Sequence, residues 1–167
     1  VTFTDWDSLK TLKYDGSAVT IEFWHRAGEE NQQMFQKWIK EFNEIYPNIT
    51  VKESKEADDY NQLMDRVALT ISTGKNPDIV ESYPDHVARY GPAVLELNNF
   101  IENPHIGYTE DEVSDFLEGL WLEGQSYDDQ GTIKSLPFSK SSEALYYNKV
   151  IVEEKYGYEV PEKGFWT

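Results

Sequence analysis

Runs of residues with strand character alternate with longer runs of helical periodicity over the first ninety residues of the chain. Strand-like runs at 18–24, 49–53 and 77–82 are each followed by a segment whose apolar residues recur at helical spacing. Consecutive parallel strands have to be joined by a crossover, which is usually a helix. The β-α-β-α-β-α order therefore predicts an α/β fold, with a mainly parallel sheet flanked by helices.

Start and stop signals place the helices. The first is predicted from Glu29 to about Tyr46, ending before a proline, because acidic residues suit the positive end of a helix. Asp58 or Asp59 caps the second helix, and the third begins at Asp85.

Beyond residue 100 the pattern is less regular. Thr109, with a glutamate three residues later, predicts a capping box and a helix running to Trp121. Residues 126–133 are typical of a strand, a tight turn and a second strand, and residues 144–148 of one more strand.

Charge and composition exclude several classes of function. The chain carries 31 acidic and 15 basic residues, a net charge of −16, which repels phosphate backbones and argues against nucleic-acid binding. It has no cysteine, so disulfides and thiolate metal sites are excluded. No metal site and no cofactor are predicted.

Enzyme signatures are weak. Histidines at 25, 86 and 105 form no metalloprotease-like pair, and neither a serine-hydrolase elbow nor a phosphate-binding loop occurs. Residues 128–131 lack the alternating ligands of a calcium loop and favour a hairpin turn. Acidic residues are so numerous that a glycoside hydrolase-like carboxylate pair stays open as an alternative.

Polar side chains follow three predicted strands, at the ends where open α/β sheets bind ligands. At each position an ordinary role competes with a ligand contact. Arg26 is either a solvated surface charge or a donor to ligand hydroxyls. Tyr83 is either a packed aromatic residue or a surface on which a sugar ring stacks. Asp85 either caps a helix or accepts hydrogen bonds from ligand hydroxyls. The candidate ligand-binding residues are His25, Arg26, Ser82, Tyr83, Asp85, His86, Ser141 and Ser142.

Four segments resemble a known family. YNQLMDRVALTISTGKNPDIVES (60–82) and GTIKSLPFSKSSEALYYNKVIVEEKYG (131–157) look like signature stretches of the extracellular solute-binding proteins of ABC importers. VTIEFWHRAG and FNEIYPNITVKE are similar to the opening strand-helix-strand of that family. The resemblance runs from about Val19 onward and is closest to the carbohydrate-binding, maltose-binding-protein-like branch.

The resemblance implies a type II periplasmic-binding-protein fold whose two lobes close on a ligand. It implies ligand contacts from the loop with His25 and Arg26, and an acid and a base at Asp85 and His86. Ser82 stands where the maltose binder has a stacking tryptophan, and Ser141 where it has a glutamate. These departures argue against a maltodextrin ligand and leave another saccharide or a polyol.

Family members are more than twice this long, so the resemblance implies one lobe, with the second lobe missing. Residues 1–17 are expected to form an N-terminal arm or linker with a short helix around residues 6–12. Residues 18–138 form the N-terminal α/β lobe, and residues 139–167 the crossover and the start of the second lobe. Exposed edges and apolar residues of such a fragment predict dimerisation or strand exchange.

The resemblance implies a non-enzymatic, extracellular protein, either periplasmic or lipid-anchored at the cell surface, which delivers its ligand to permease subunits in the membrane. A glycerol-phosphate or glycerophosphodiester binder of the same fold is the nearest alternative, because FWHRAG also resembles the opening of that subgroup.

Overall fold

The computed structural model describes residues 7–141 and 144–160. Contacts divide the chain into two compact units, Val1–Pro137 and Phe138–Thr167. The first unit contains the sheet, and the two units are described separately.

Three parallel strands form the sheet, in the order β2-β1-β3. β1 is Val19–His25, β2 is Ile49–Lys55 and β3 is Ile79–Val80. The register pairs Val19 with Ile49 and Phe23 with Ile79, so β1 is the central strand. The predicted parallel sheet and the positions of its three strands are confirmed.

A helix follows each strand. α1 is Glu29–Ile45, α2 is Tyr60–Ile71 and α3 is Pro84–Tyr90. The cap of α2 is Asp59, whose carboxylate accepts from the Gln62 N–H at 2.9 Å. Each helix begins near its predicted position, and the three helices complete the predicted β-α-β-α-β-α order.

The sheet is packed on both faces. On one face Leu63, Val67 and Tyr90 form a buried cluster against Trp24 and other half-buried residues. On the other, the Phe35 ring of α1 lies 5.3 Å from the ring of Phe23. Neighbouring strand residues point to opposite faces, so Phe23 and Trp24 serve different layers.

Shorter elements make up the rest of the described chain. They are the 3-10 turns Asp7–Thr11 and Gly91–Ala93, the helices α4 (Asn98–Ile101), α5 (Glu110–Ser114) and α6 (Glu118–Glu123), and a π-helical turn at Val150–Lys155. Asp7–Thr11 corresponds to the short helix expected near residues 6–12. Its Leu9 is buried, and Asn103 donates to the carbonyls of Leu9 and Leu12 at 2.7 and 2.9 Å.

The helix predicted from Thr109 to Trp121 is wrong in its length. Its capping box is present, with reciprocal bonds between Thr109 and Glu112, but the segment breaks into α5 and α6. Leu117 is extended at the break. The break allows the Phe116 ring to lie 5.8 Å from Tyr108 and 5.1 Å from Trp121.

The strands predicted at 126–133 and 144–148 are also wrong, since the described residues contain no strand after Val80. The Asp128 carboxylate accepts from the N–H groups of Gln130 and Thr132, at 2.8 and 3.2 Å, which closes a compact turn in place of a hairpin ladder. No described helix is both long and apolar enough to cross a membrane.

Candidate functional site

Side chains from three loops meet at the carboxyl edge of the sheet. Arg26 follows β1, Glu81 follows β3, and Tyr60 opens α2 after the loop that leaves β2. Parallel strands bring these three chain positions to one edge, which is where ligands bind in open α/β sheets.

Glu81 ties two of these loops together. One carboxylate oxygen accepts from the Arg26 backbone N–H at 3.2 Å, and the other accepts from the Tyr60 hydroxyl at 2.8 Å. Burial raises the pKa of Tyr60, and its bond to Glu81 raises it further. Tyr60 is therefore a protonated donor at neutral pH, and both oxygens of Glu81 are occupied.

Four side chains form a continuous stack along the edge. The Arg26 guanidinium lies 4.3 Å from the centre of the Tyr60 ring, and the rings of Tyr60 and Tyr83 are 4.2 Å apart. The His86 ring meets Tyr83 edge-on at 5.4 Å. The adjacent Tyr60 hydroxyl raises the pKa of Arg26, so the guanidinium keeps its charge. We call Arg26, Tyr60, Tyr83 and His86 the edge stack.

The edge stack holds two buried polar atoms that lack a hydrogen-bond partner among the described residues, Arg26 Nε and His86 Nδ1. Buried polar atoms are usually satisfied, and an exception commonly marks a place where water or a ligand binds. Beside them, the Asp85 side chain is exposed in the first turn of α3, whose N-cap is Tyr83, and its carboxylate lies 4.0 Å from His86 Nε2. The edge thus offers donors, an acceptor and an aromatic face.

Ser82 is already engaged in this structure. Its hydroxyl lies 3.2 Å from the hydroxyl of Tyr90, a buried residue of the core cluster. Burial raises the pKa of Tyr90. A ligand contact by Ser82 stays a prediction, and it would have to share or replace the bond to Tyr90.

His25 is fully buried, and both of its ring nitrogens have partners. Nε2 lies 2.5 Å from a Glu53 oxygen, and Nδ1 accepts from the Ala27 N–H at 3.1 Å. The ligand contact predicted for His25 also stays a prediction. Its surroundings favour a supporting role behind the loop that carries Arg26.

The serine-rich segment is only partly described. Ser141 is exposed and belongs to the second compact unit, and Ser142 lies outside the described residues. The ligand contacts expected of these two serines remain predictions.

Two members of the site were missed by sequence reasoning. In the sequence, Tyr60 fits the apolar spacing of the second predicted helix, and Glu81 falls within the predicted strand at 77–82. Their chain positions carried a signal: Tyr60 opens the helix after β2, and Glu81 directly follows β3. Both positions fall at the same sheet edge as Arg26 once the strands are parallel.

A metal centre is not visible in the part of the chain that the structure describes. Its histidine and carboxylate side chains nowhere gather in groups of three or more that could hold an ion.

Comparison with known proteins identifies the family to which the chain is similar. A family model described as bacterial extracellular solute-binding protein matches residues 37–165. The sn-glycerol-3-phosphate-binding periplasmic protein UgpB of Salmonella typhimurium is 24% identical over 144 residues, which is 83% of this chain and 32% of that protein. The chain spans about a third of the length of the curated relatives it matches.

Solved structures share the fold at low identity. The galacto-N-biose-/lacto-N-biose I-binding protein of the ABC transporter from Bifidobacterium longum has a TM-score of 0.56 and 18% identity, covering 72% of this chain and 28% of that one. The maltose/maltodextrin-binding domain MalE of Bdellovibrio bacteriovorus has a TM-score of 0.52 and 19% identity, covering 69% and 27%. A de novo designed cysteine esterase, ECH19, has a TM-score of 0.58 and 18% identity, covering 73% and 28%. These likenesses confirm a lobe of the type II periplasmic-binding-protein fold.

Proposed function

This chain belongs to the bacterial extracellular solute-binding protein family, and we propose that it forms one wall of a binding cleft for a saccharide or polyol. In this proposal the whole receptor captures its ligand outside the cell, in a periplasm or anchored at the cell surface by a lipid. It then delivers the ligand to the permease subunits of an ABC importer. The single observation that carries the proposal is the edge stack at the carboxyl edge of the sheet.

The chemistry of the edge suits a polyhydroxylated ligand. Tyr83 is 46% exposed, and its ring can offer an apolar face to the C–H groups of a sugar. Arg26 and His86 supply nitrogen atoms for ligand hydroxyls, and the Asp85 carboxylate accepts from them. A few such polar groups on an apolar surface are typical of small-molecule sites.

Binding without catalysis is the simpler reading of the same residues. A glycoside hydrolase needs two available carboxyl groups about 5 to 9.5 Å apart. At this edge Asp85 is available, whereas both oxygens of Glu81 already accept hydrogen bonds. The designed esterase that shares the fold is described as a cysteine enzyme, and this chain contains no cysteine.

A second candidate is a glycerol phosphate or glycerophosphodiester. It is favoured by the UgpB relatives, whose name states that they bind sn-glycerol-3-phosphate. The Arg26 guanidinium would then hold a phosphate as well as hydroxyls. Affinity for such a ligand should fall with rising salt, whereas affinity for a neutral sugar should change little.

The test is an NMR titration of the 15N-labelled chain with lacto-N-biose, maltotriose, glycerol and sn-glycerol-3-phosphate. We expect one sugar or polyol to shift the backbone amides of residues 25–28 and 81–86 in preference to the rest of the chain. A response to sn-glycerol-3-phosphate alone, weakened by salt, would establish the second candidate. No response at this edge to any of the four compounds would contradict both.

A pair of tyrosine variants controls for non-specific loss of an aromatic residue. Tyr83→Ala should weaken binding by about tenfold or more, because it removes the platform. Tyr46 is similarly exposed, at 41% against 46%, but lies between α1 and β2, at the opposite edge of the sheet. Tyr46→Ala should leave the affinity unchanged.

A further inference from the structure

We propose that His25, in its neutral form with the proton on Nε2, is a positioning residue that fixes the turn carrying Arg26 into the binding edge. This inference rests on the proposed ligand-binding function of that edge, because it concerns how one of its side chains is held. The residues that carry it are His25, Ala27 and Glu53, which come from the end of β1, the following turn and β2.

The hydrogen bonds select one tautomer. A ring nitrogen can accept from a backbone N–H only when it carries no proton. Nδ1 accepts from the Ala27 N–H at 3.1 Å, so the proton of neutral His25 is on Nε2. Nε2 then donates to the Glu53 carboxylate at 2.5 Å.

Glu53 is held in place as the partner of Nε2. Its carboxylate also accepts from the side-chain amides of Gln32 at 2.9 Å and Gln36 at 3.5 Å. Burial alone would raise the pKa of Glu53, but the bonds from Gln32, His25 and Gln36 outweigh it, and the pKa lies below its ordinary value. The carboxylate is therefore ionised at neutral pH and orients the imidazole from behind.

The rest of the imidazole is enclosed by apolar groups. The Phe23 ring of β1 lies 5.3 Å away and the Phe35 ring of α1 lies 5.0 Å away. Of the described groups that contact the imidazole, Glu53 is the charged one. Gln32 donates to Glu53, and Ala27 is the buried residue of the following turn. In this enclosure His25 has two polar partners, one on each ring nitrogen.

The turn is consequently fixed from two sides. His25 holds the Ala27 N–H, and Glu81 holds the preceding Arg26 N–H, so the Arg26 side chain leaves the backbone at a set place over Tyr60. Protonation of Nδ1 would set two N–H donors against each other at 3.1 Å. Only the tautomer with its proton on Nε2 therefore keeps the turn, and with it Arg26, in place.

The first experiment needs no variant and no ligand. Long-range 1H–15N correlation spectra of the 167-residue chain at neutral pH should show Nδ1 unprotonated and Nε2 protonated. A proton on Nδ1 at neutral pH in the folded chain would overturn the proposal.

Two variants then separate the roles of the ring nitrogens. His25→Asn places an acceptor near the position of Nδ1, and His25→Gln places a donor near the position of Nε2. We expect His25→Asn to keep the neutral-pH amide shifts of Ala27, and His25→Gln to lose them.

Ligand affinity is measured with whichever of lacto-N-biose, maltotriose, glycerol or sn-glycerol-3-phosphate binds the unmodified chain. His25→Gln should weaken that probe by about tenfold more than His25→Asn does. Equal losses in the two variants would reject positioning through Nδ1. If none of the four compounds binds the unmodified chain, the ligand-binding proposal is the one that fails, and the tautomer measurement still decides the role of His25.

Discussion

Residues 19–90 and residues 138–160 both carry frequent apolar and aromatic side chains, but they differ in how far those side chains are buried. In the first region, strands and helices bury Leu63 completely, together with Val67 and Tyr90. In the described part of the second region no residue is buried, and Leu145 and Tyr146 are 80% and 92% exposed. The difference lies in the partners, because each strand of the first region has a neighbour to pair with and a helix to pack against.

The contrast shows that an apolar pattern specifies an element only where a second surface accepts it. An isolated pair of strands is marginal at best in water, and a single strand has no ladder at all. Residues 144–148 have the composition of a strand, but the described residues nearby supply no strand to pair with it. Residues 144–148 therefore form an exposed apolar segment without strand structure.

Hydrogen exchange should show the largest difference between the two regions. Amides of β1 are expected to open only with the sheet, whereas amides in Val150–Lys155 open locally. We expect exchange of the slowest β1 amides to be at least about 100-fold slower. Comparable protection in both regions, measured by NMR after dilution into D2O, would break the comparison.

A matched pair of leucine truncations should show the next largest effect. Leu63→Ala should lower the free energy of unfolding by about 2–5 kcal/mol, since it leaves a cavity in the core cluster. Leu145→Ala should change it by less than about 0.5 kcal/mol. Urea unfolding followed by tryptophan fluorescence measures both, because Trp24 packs against the cluster. A large loss from Leu145→Ala would show that the second region is buried in solution.

Side chains that cap helical turns offer a finer comparison. The Asp59 carboxylate accepts from the Gln62 N–H at 2.9 Å, and the side-chain amide oxygen of Asn148, Oδ1, accepts from the Ile151 N–H at 3.1 Å. Asp59→Ala should cost about 1 kcal/mol of unfolding free energy. Asn148→Ala should leave global unfolding unchanged and only speed the exchange of the Ile151 amide. Equal losses in urea would mean that the two regions unfold together.

The smallest effect is expected where the two regions are alike. Lys37 and Glu41 are 3.8 Å apart on α1, and Lys149 and Glu153 are 3.6 Å apart on the π-helical turn. Such i,i+4 pairs at a surface contribute about 0.3–0.5 kcal/mol at most. Lys37→Ala and Lys149→Ala should therefore both lie within about 0.5 kcal/mol of the parent, at low and at high salt. A clear, salt-sensitive loss in one variant alone would locate a charge network in that region.

Sequence reasoning succeeded where local signals and tertiary packing agree. The periodicity of α1, the Asp59 cap and the Thr109–Glu112 capping box are all present. It failed where a long-range contact decides the structure. The predicted long helix breaks so that Phe116 can reach two other aromatic rings, and the spacing of Phe116 in the sequence gives no sign of that contact.

The sequence predicted where the candidate site lies in the fold but not which of its side chains contact one another. The sheet edge and the positions of Arg26, Tyr83 and His86 followed from parallel topology. The pairing of His25 with Glu53 joins residues 28 positions apart, and the bond between Tyr60 and Glu81 spans 21. In each pair the two residues lie in different segments, which no local periodicity relates, so only the folded chain shows that these polar groups satisfy each other.

The central place of β1 also bears on how the polypeptide is made. Val19 pairs with Ile49, 30 residues later, and Phe23 with Ile79, 56 residues later. At a synthesis rate of about 5–20 residues per second, β1 waits roughly 3–11 s for the last residue it pairs with. Both its edges are open until β2 arrives, and one stays open until β3 does, so a nascent chain is most exposed to pairing with another chain during this interval. Slow translation between residues 25 and 79 would lengthen that interval, and a chaperone that shields β1 would act there.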